Sequence, residues 1–146
     1  GGAGTAIAAQ LCLEKVKELF IFNIKDNSFD LAIDLVKRLE NQTNTKVHLI
    51  DLKEEKDLKE AIENSDILIN ATSMGMEPHE DKMALPNEDF IKENMIVADT
   101  IYNPEKTKLL KHAENKGCKT INGEGMLIAQ AEINFKMWTG KQLLKD

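Results

Sequence analysis

The chain has 146 residues, of which 42% are hydrophobic and 30% are charged, with a formal net charge of −6. This composition is typical of one soluble globular domain rather than of a disordered chain. The negative charge and scattered lysines argue against a nucleic-acid surface, and no apolar run approaches the roughly 20 residues that a membrane helix needs. Cys12 and Cys118 are too few for a disulfide framework, and the three histidines lack ligand spacing. We therefore expect no metal and a cytoplasmic location.

The chain begins with Gly-Gly-Ala-Gly, which runs straight into the apolar residues 5–9. Glycines at such a turn let the backbone approach a pyrophosphate, and a following helix points its free N–H groups at the phosphate charge. Gly1 and Gly4 can supply the second and third glycines of the dinucleotide fingerprint G-x-G-x-x-G. That fingerprint would place a first glycine and a central strand upstream of residue 1, so we expect a fragment. A cloning scar ahead of an ordinary helix is the alternative.

Helices and strands are predicted to alternate along the rest of the chain. Apolar periodicity predicts helices over residues 5–17, 29–39, 57–64, 107–116 and 126–138, with Ser28 and Gly117 as caps. Short apolar runs predict strands over residues 19–22, 46–50, 67–69, 95–99 and 119–121, the first and third covered on both faces. This alternation indicates βαβ units and an α/β, Rossmann-like doubly wound parallel sheet, here without its first, central strand.

Ligands of such sheets bind outside the carboxyl ends of the strands. Small or polar residues follow four strand or loop ends, at residues 23–26, 70–76, 99–103 and 123–125. Asp26 lies about 20 residues beyond the glycines, where a carboxylate binds the ribose hydroxyls of NAD and would repel a 2′-phosphate. The alternative is that Asp26 only caps the next helix.

Four motifs occur in a fixed order between residues 70 and 140 of the chain. They are Asn-Ala-Thr-Ser-Met-Gly-Met at 70–76, Asp-Thr-Ile-Tyr-Asn-Pro at 99–104, Gly-Glu-Gly-Met-Leu-Ile-Ala-Gln at 123–130 and Trp-Thr-Gly at 138–140. This set resembles the shikimate/quinate dehydrogenase family, specifically its C-terminal NAD(P)-binding domain. The resemblance implies that residues 1–146 are half of a two-domain oxidoreductase. That enzyme reversibly transfers hydride between NAD(P) and shikimate/3-dehydroshikimate or quinate/3-dehydroquinate.

The resemblance also implies which residues form the site. Tyr102 and Gln130 match positions at the substrate pocket, and Gly123 matches the glycine whose backbone holds the nicotinamide amide. The cofactor-binding positions are Gly1, Gly2, Ala3, Asn23, Lys25, Asp26, Ser73, Thr100, Ile101, Tyr102, Asn103, Gly123 and Met126. Each has a plainer alternative: Tyr102 can cap a strand end, Gln130 can be a surface residue, and Met126 can be a core methionine. Asp99 is expected to satisfy backbone N–H groups in a turn rather than to move protons.

The chain departs from the family pattern where many NADP-dependent members carry Asn-Arg-Thr. Here the stretch is Asn-Ile-Lys-Asp at residues 23–26, and Ile24 has no guanidinium for a phosphate. We therefore expect NAD as the cofactor, with Lys25 leaving tolerance for NADP, and a closer likeness to the quinate/shikimate branch. The Lys and Asp that handle the proton in the family belong to a preceding substrate domain, so no catalytic residue is assigned in this chain.

Two other functions remain open from the sequence. The chain can be a catalytically silent NAD(P)-binding regulatory module, which an upstream substrate domain with a Lys/Asp pair would argue against. An unrelated Rossmann enzyme, such as a folate or amino-acid dehydrogenase, is a weaker alternative, because Tyr102 and Gln130 stand in the family's motifs. The preferred ring acid and the formation of a homodimer are left open.

Overall fold

The computed structural model describes residues 1–27 and 29–143, and Ser28, the predicted N-cap, lies outside them. The chain divides into two compact units, Gly1–Ser65 and Asp66–Asp146. None of the helices within the described residues has the length and apolar character to cross a membrane.

The first unit is a two-stranded parallel sheet with three helices. Its elements are α1 (Gly2–Leu13), β1 (Glu18–Asn23), α2 (Phe29–Gln42), β2 (Lys46–Asp51) and α3 (Glu55–Glu63). β1 and β2 pair in parallel from Glu18 opposite Lys46 to Asn23 opposite Asp51. The buried core joins α1, α2 and β2 through four side chains: Ala8, Cys12, Leu39 and Val47. Small side chains on α1 let this helix pack closely in that core, as its alanine-rich sequence indicates.

The predicted end of α1 at residue 17 is wrong, because the helix stops at Leu13. Lys15 has a φ of 62°. Its N–H bonds to the Cys12 carbonyl at 3.1 Å, and the Val16 N–H bonds to the Leu11 carbonyl at 3.3 Å. These two bonds form a Schellman motif, which ends a helix through one residue in the left-handed conformation. The start also differs, since the helix begins at Gly2 and so includes Gly2 and Gly4, which were predicted to lie in the turn before it.

The second unit is a three-stranded parallel sheet with two helices. It contains β3 (Ile67–Asn70), a short 3-10 helix (Glu88–Phe90), β4 (Ile96–Asp99), α4 (Lys108–Asn115), β5 (Lys119–Ile121) and α5 (Glu124–Thr139). The strand order is β3-β4-β5. Asn70 lies directly opposite Asp99 in the parallel register, so the two strands end side by side. This register brings the loops after β3 and β4 to the same edge of the sheet.

The parallel α/β fold predicted from the alternation is confirmed, with two differences. Among the described residues the strands form two separate sheets rather than one ladder. The side chains of β1 and β3 are also less covered than predicted: those at 19–22 are only partly buried, and Ile67 is exposed. Within residues 1–27 and 29–143, each of these two strands has a hydrogen-bonded neighbour on one side only, which leaves it at the edge of its sheet.

Candidate functional site

A cleft of about 640 Å³ opens at the carboxyl ends of β3 and β4, a size within the usual range of small-molecule sites. It is lined by Thr72, Met76, Glu77, Pro78, Thr100, Ile101, Tyr102 and Asn103. The structure therefore brings together the four predicted residues that follow β4. The Tyr102 side chain is 53% exposed, so its phenol is open to solvent and to a ligand. The predicted residues Ser73, Gly123, Met126 and Gln130 are not in the lining of this cleft.

The loop after β3 is shaped by the buried side chain of Asn70. Its Oδ1 accepts hydrogen bonds from the backbone N–H of Thr72 at 3.1 Å and from the Thr72 hydroxyl at 2.7 Å. Its Nδ2 donates to the Met74 carbonyl at 3.1 Å. An Asn side chain that accepts a hydrogen bond from the backbone N–H two residues on forms an Asx-turn, which is a local structure. The motif thus places Thr72 in the wall of the cleft.

The loop after β4 is held by the buried carboxylate of Asp99. Asp99 Oδ1 accepts from the Ile101 N–H at 3.0 Å and from Asn70 Nδ2 at 3.1 Å, and Oδ2 accepts from the Thr107 hydroxyl at 2.8 Å. Burial raises the pKa of Asp99 above its ordinary value of 3.8, and these three hydrogen bonds oppose that rise. The prediction that Asp99 satisfies backbone N–H groups in a turn is confirmed.

Gly123 lies against the backbone of the loop after β4. Its N–H donates to the Ile101 carbonyl at 2.9 Å, and its own carbonyl accepts from the Leu127 N–H at 3.0 Å. A Cβ at this position would lie 2.0 Å from the Thr100 carbonyl oxygen. Only glycine allows this approach, since a Cβ would overlap backbone atoms that cannot rotate away. The predicted importance of Gly123 therefore has a steric reason within the protein itself.

Met126 and Gln130 lie one turn apart on α5, a separation that places both side chains on one face of the helix. Both are exposed. Ile133 and Met137 continue this face of the helix, and Met137 is 75% exposed. None of the residues of α5 is buried. Apolar side chains on all sides of a helix are typical of a helix that is covered by other protein.

The remaining predicted cofactor residues lie in the first unit. Gly1 and Gly2 have open space around the position of a Cβ. Gly1 caps α1 without a side-chain hydrogen bond, and the first turn of α1 carries no acidic residue. Ala3 is in that same turn. Asn23, Lys25 and Asp26 lie at and beyond the carboxyl end of β1, where Asn23 Oδ1 accepts from the Ile24 N–H at 3.0 Å.

Several residues that form or support the cleft have no role predicted from the sequence. Asn70 and Thr72 lie in the motif at 70–76, and their Asn-x-Thr spacing is a local turn signal that could have identified them, whereas Thr107 is only the first residue of a predicted helix. Glu77 and Pro78 also line the cleft, and no sequence pattern marks them as lining residues. For the part of the chain that is described, no three His, Cys, Asp or Glu side chains are placed to share a metal ion. His48 and His112 instead pair with Glu18 and Glu88.

No family model matches the chain. The chain is 42% identical over all 146 residues to the shikimate dehydrogenase (NADP(+)) of Listeria innocua serovar 6a, of which it covers 50%. It therefore spans about half the length of the curated relatives it matches.

Solved structures share the fold. The shikimate 5-dehydrogenase from Listeria monocytogenes, in complex with shikimate and NAD, matches with a TM-score of 0.90 and 42% identity. That match covers 97% of this chain and 49% of the other. The quinate dehydrogenase from Corynebacterium glutamicum, in complex with NAD, matches with a TM-score of 0.83 and 30% identity over 97% of this chain and 48% of that one.

Proposed function

We propose that this chain, whose resemblance to the shikimate/quinate dehydrogenase family is confirmed by its relatives, is the cofactor-binding half of such an enzyme. The complete enzyme would reversibly transfer hydride between NAD(P) and shikimate/3-dehydroshikimate or quinate/3-dehydroquinate. The observation that carries the proposal is the cleft at the ends of β3 and β4, because two of the family motifs form its walls. Relatives with 41–42% identity over the whole chain support the same function.

The residues of α1 fit the pyrophosphate of a dinucleotide. The first N–H groups of a helix have no partner within the helix and carry its positive dipole end, so they bind phosphate oxygens. No side chain of the described residues caps these groups, and Gly1 and Gly2 leave room for a ligand to approach the backbone. Ala3 in the same turn adds only a methyl group. We assign Gly1, Gly2 and Ala3 to pyrophosphate binding.

The loop after β1 is assigned to the adenosine ribose. Asp26 is exposed, and its carboxylate can accept hydrogen bonds from two ribose hydroxyls. A 2′-phosphate at the same place would meet this negative charge, and Ile24 supplies no guanidinium to offset it. Lys25 provides one cation, so NADP remains usable. NAD is the cofactor in the Listeria monocytogenes and Corynebacterium glutamicum complexes, whereas the name of the Listeria innocua relative specifies NADP(+).

The second unit is assigned to the nicotinamide and to the ring acid. The N–H of Gly123 is already bonded to Ile101, so its backbone can bind a carboxamide only through its carbonyl oxygen. Ser73, Thr100 and Asn103 supply polar groups. When bound, the cofactor supplies the hydride acceptor and donor, and Met126 covers it with an apolar side chain.

Tyr102 and Gln130 are assigned to the hydroxyl groups of the substrate. A Gln amide can donate to one hydroxyl and accept from another, and a phenol can do the same. A site built from such groups discriminates against analogues that lack the hydroxyl, because its own polar atoms would lose their partners.

No residue of this chain is assigned to proton transfer. Hydride transfer at a carbinol needs a base within hydrogen-bond reach of the hydroxyl. Asp99 is buried, and both of its oxygens already accept hydrogen bonds within the fold. We therefore place the base in the other half of the enzyme. Residues 1–146 alone should show no dehydrogenase activity and should aggregate, because Met137 and Trp138 are 75% and 80% exposed. A cytoplasmic location and a homodimer belong to the same proposal.

A chimera separates the enzyme from its main alternative, a silent NAD(P)-binding module. In the shikimate dehydrogenase chimera, residues 1–146 replace the matching half of the Listeria innocua relative. We expect it to reduce NAD(P) with shikimate or quinate, while residues 1–146 alone do not. A folded chimera that binds the cofactor but transfers no hydride to it would favour the silent module. An active preparation of residues 1–146 alone would show that the base is in this chain.

A further inference from the structure

One buried hydrogen-bond network ties together the two loops that line the cleft. It consists of the side chains of Asn70, Asp99 and Thr107, which are 4%, 3% and 1% exposed. Asn70 Nδ2 donates to Asp99 Oδ1 at 3.1 Å, and the Thr107 hydroxyl donates to Asp99 Oδ2 at 2.8 Å. We refer to these three residues as the strand-end network. It connects the ends of β3 and β4 to the start of α4.

Every polar atom of Asn70 and Asp99 in this network has a partner. The two hydrogens of Asn70 Nδ2 go to Asp99 and to the Met74 carbonyl, and its Oδ1 accepts twice from Thr72. The Asp99 carboxylate accepts three hydrogen bonds, which are donated by the Asn70 amide, the Ile101 N–H and the Thr107 hydroxyl. Because all three partners donate, the network matches the ionised carboxylate, which only accepts. Fully satisfied buried networks fix one geometry, since each alternative arrangement would leave a polar group unpaired.

The network holds two groups in the wall of the cleft directly. Thr72 is held by Asn70 through its N–H and its hydroxyl, and Ile101 is held by Asp99 through its N–H. The Ile101 carbonyl in turn accepts from the Gly123 N–H. Asp99 therefore connects, through the backbone of the single residue Ile101, to the glycine assigned to the carboxamide. Tyr102 follows Ile101 directly, so its backbone position depends on the same anchor.

We propose that Asn70, Asp99 and Thr107 are positioning residues, which act on hydride transfer by fixing Thr72 and Ile101 in the walls of the cleft and, through Ile101, Gly123 beside it. This inference rests on the proposed function. Catalysis between bound groups depends steeply on distance, and a displacement of about 1 Å can lower the rate by about 100-fold. A network that is buried below the cleft can thus set the rate without touching a ligand.

Thr107→Val tests the network with little change in shape. The hydroxyl is replaced by a methyl group, so Asp99 Oδ2 loses its donor. Thr45→Val is the matched control, because Thr45 is 4% exposed and its hydroxyl donates to the Val16 carbonyl at 2.7 Å in the first unit. Thr107→Ser is the conservative variant that keeps the hydroxyl.

Turnover is measured in the shikimate dehydrogenase chimera. We expect Thr107→Val to lower kcat by about 10- to 100-fold, with a change in KM for the ring acid of less than about threefold. Thr107→Ser should recover most of the rate. Thr45→Val should lower the midpoint of thermal unfolding by a similar amount while leaving kcat unchanged. Equal kcat values for Thr107→Val and Thr45→Val would overturn the inference.

A second readout does not depend on activity. Hydrogen exchange of single amides is compared in the same chimera, and Thr107→Val should speed exchange at Ile101 and Thr72 by about 10-fold. If Thr107 served only as the N-cap of α4, faster exchange would be confined to Leu110, whose N–H faces the Thr107 hydroxyl at 3.4 Å. That result would contradict the positioning role. An inactive parent chimera would instead contradict the proposed function, and the exchange rates would still decide on the network.

Discussion

Replacing Gly123 with alanine tests the close approach of its backbone to the loop after β4. The added Cβ would lie 2.0 Å from the Thr100 carbonyl oxygen, 2.4 Å from the Thr100 carbonyl carbon and 2.9 Å from the Ile101 carbonyl carbon. Carbon and oxygen normally approach to about 3.3 Å, so the two segments must separate by about 1 Å. The backbone of Gly123 has a φ of −77° and a ψ of −3°, which any residue can adopt. The effect is therefore steric.

The expected loss has two parts. Overpacking costs about 1–3 kcal/mol, and the Gly123–Ile101 hydrogen bond contributes about 1 kcal/mol, so the total is about 2–4 kcal/mol of unfolding free energy. The control is Gly125→Ala, two residues further along, where a Cβ meets open space. Because Gly125 lies within α5, alanine there should stabilise by about 0.5–1 kcal/mol. The two substitutions are chemically identical and differ only in their surroundings.

Urea unfolding of the shikimate dehydrogenase chimera measures the stability, and a fluorescence titration measures NAD affinity. Gly123→Ala should unfold at lower urea and bind NAD more weakly, whereas Gly125→Ala should match or exceed the parent in stability. If both variants were as stable as the parent and bound NAD equally well, the close approach and the assignment of Gly123 to the carboxamide would be refuted.

Three further predictions concern the cofactor, the substrate and pH. The chimera should prefer NAD to NADP by about 1–2 kcal/mol, or about 5- to 30-fold in kcat/KM, and Asp26→Ala should reduce this preference. A clear preference for NADP would contradict the assignment of Asp26 to the adenosine ribose. Gln130→Ala should lower kcat/KM for the ring acid by about 10- to 100-fold without weakening NAD binding. Lys136→Ala on the same helix should change neither quantity. An equal loss of NAD affinity in Gln130→Ala would show that Gln130 binds the cofactor or stabilises the fold instead. The hydrogen bond from Lys106 lowers the pKa of Glu114 below its ordinary value of 4.5. The contribution of Glu114 to the free energy of unfolding is thus fully present above pH 4.5 and is lost as the pH falls through the lowered pKa. In thermal unfolding of the chimera, the midpoint should therefore fall less steeply on acidification in Glu114→Gln than in the parent.

Elements with local signals were predictable from the sequence. Helix α4 is the clearest case, because Thr107 caps its start and Gly117, with a φ of 73°, follows its end. A threonine hydroxyl can accept a hydrogen bond from the first turn of a helix, and a glycine readily adopts the positive φ that follows a helix end, so both signals are visible in the sequence. The placement of the cleft at the ends of β3 and β4 was predictable for a similar reason, since parallel strands end at one edge of a sheet.

The rest depends on conformation or contacts that no local pattern displays. The end of α1 was missed because Lys15, rather than a glycine, adopts the left-handed conformation of the cap. The contact between Asn70 and Asp99 joins residues 29 positions apart, and it follows from the strand register, not from either motif. Burial also determines the role of Asp99: in sequence it is one carboxylate among many, whereas in the fold its oxygens are fully engaged within the protein.

Hydride transfer by the shikimate dehydrogenase chimera tests the central assignment most directly. The measurement is the rate at which NAD or NADP is reduced when shikimate or quinate is added to the purified, folded chimera. If residues 1–146 are the cofactor-binding half of a shikimate/quinate dehydrogenase, the chimera turns over one of these acids and the Gly123→Ala chimera does so more slowly. A folded chimera that binds NAD(P) but reduces it with neither acid would contradict the account.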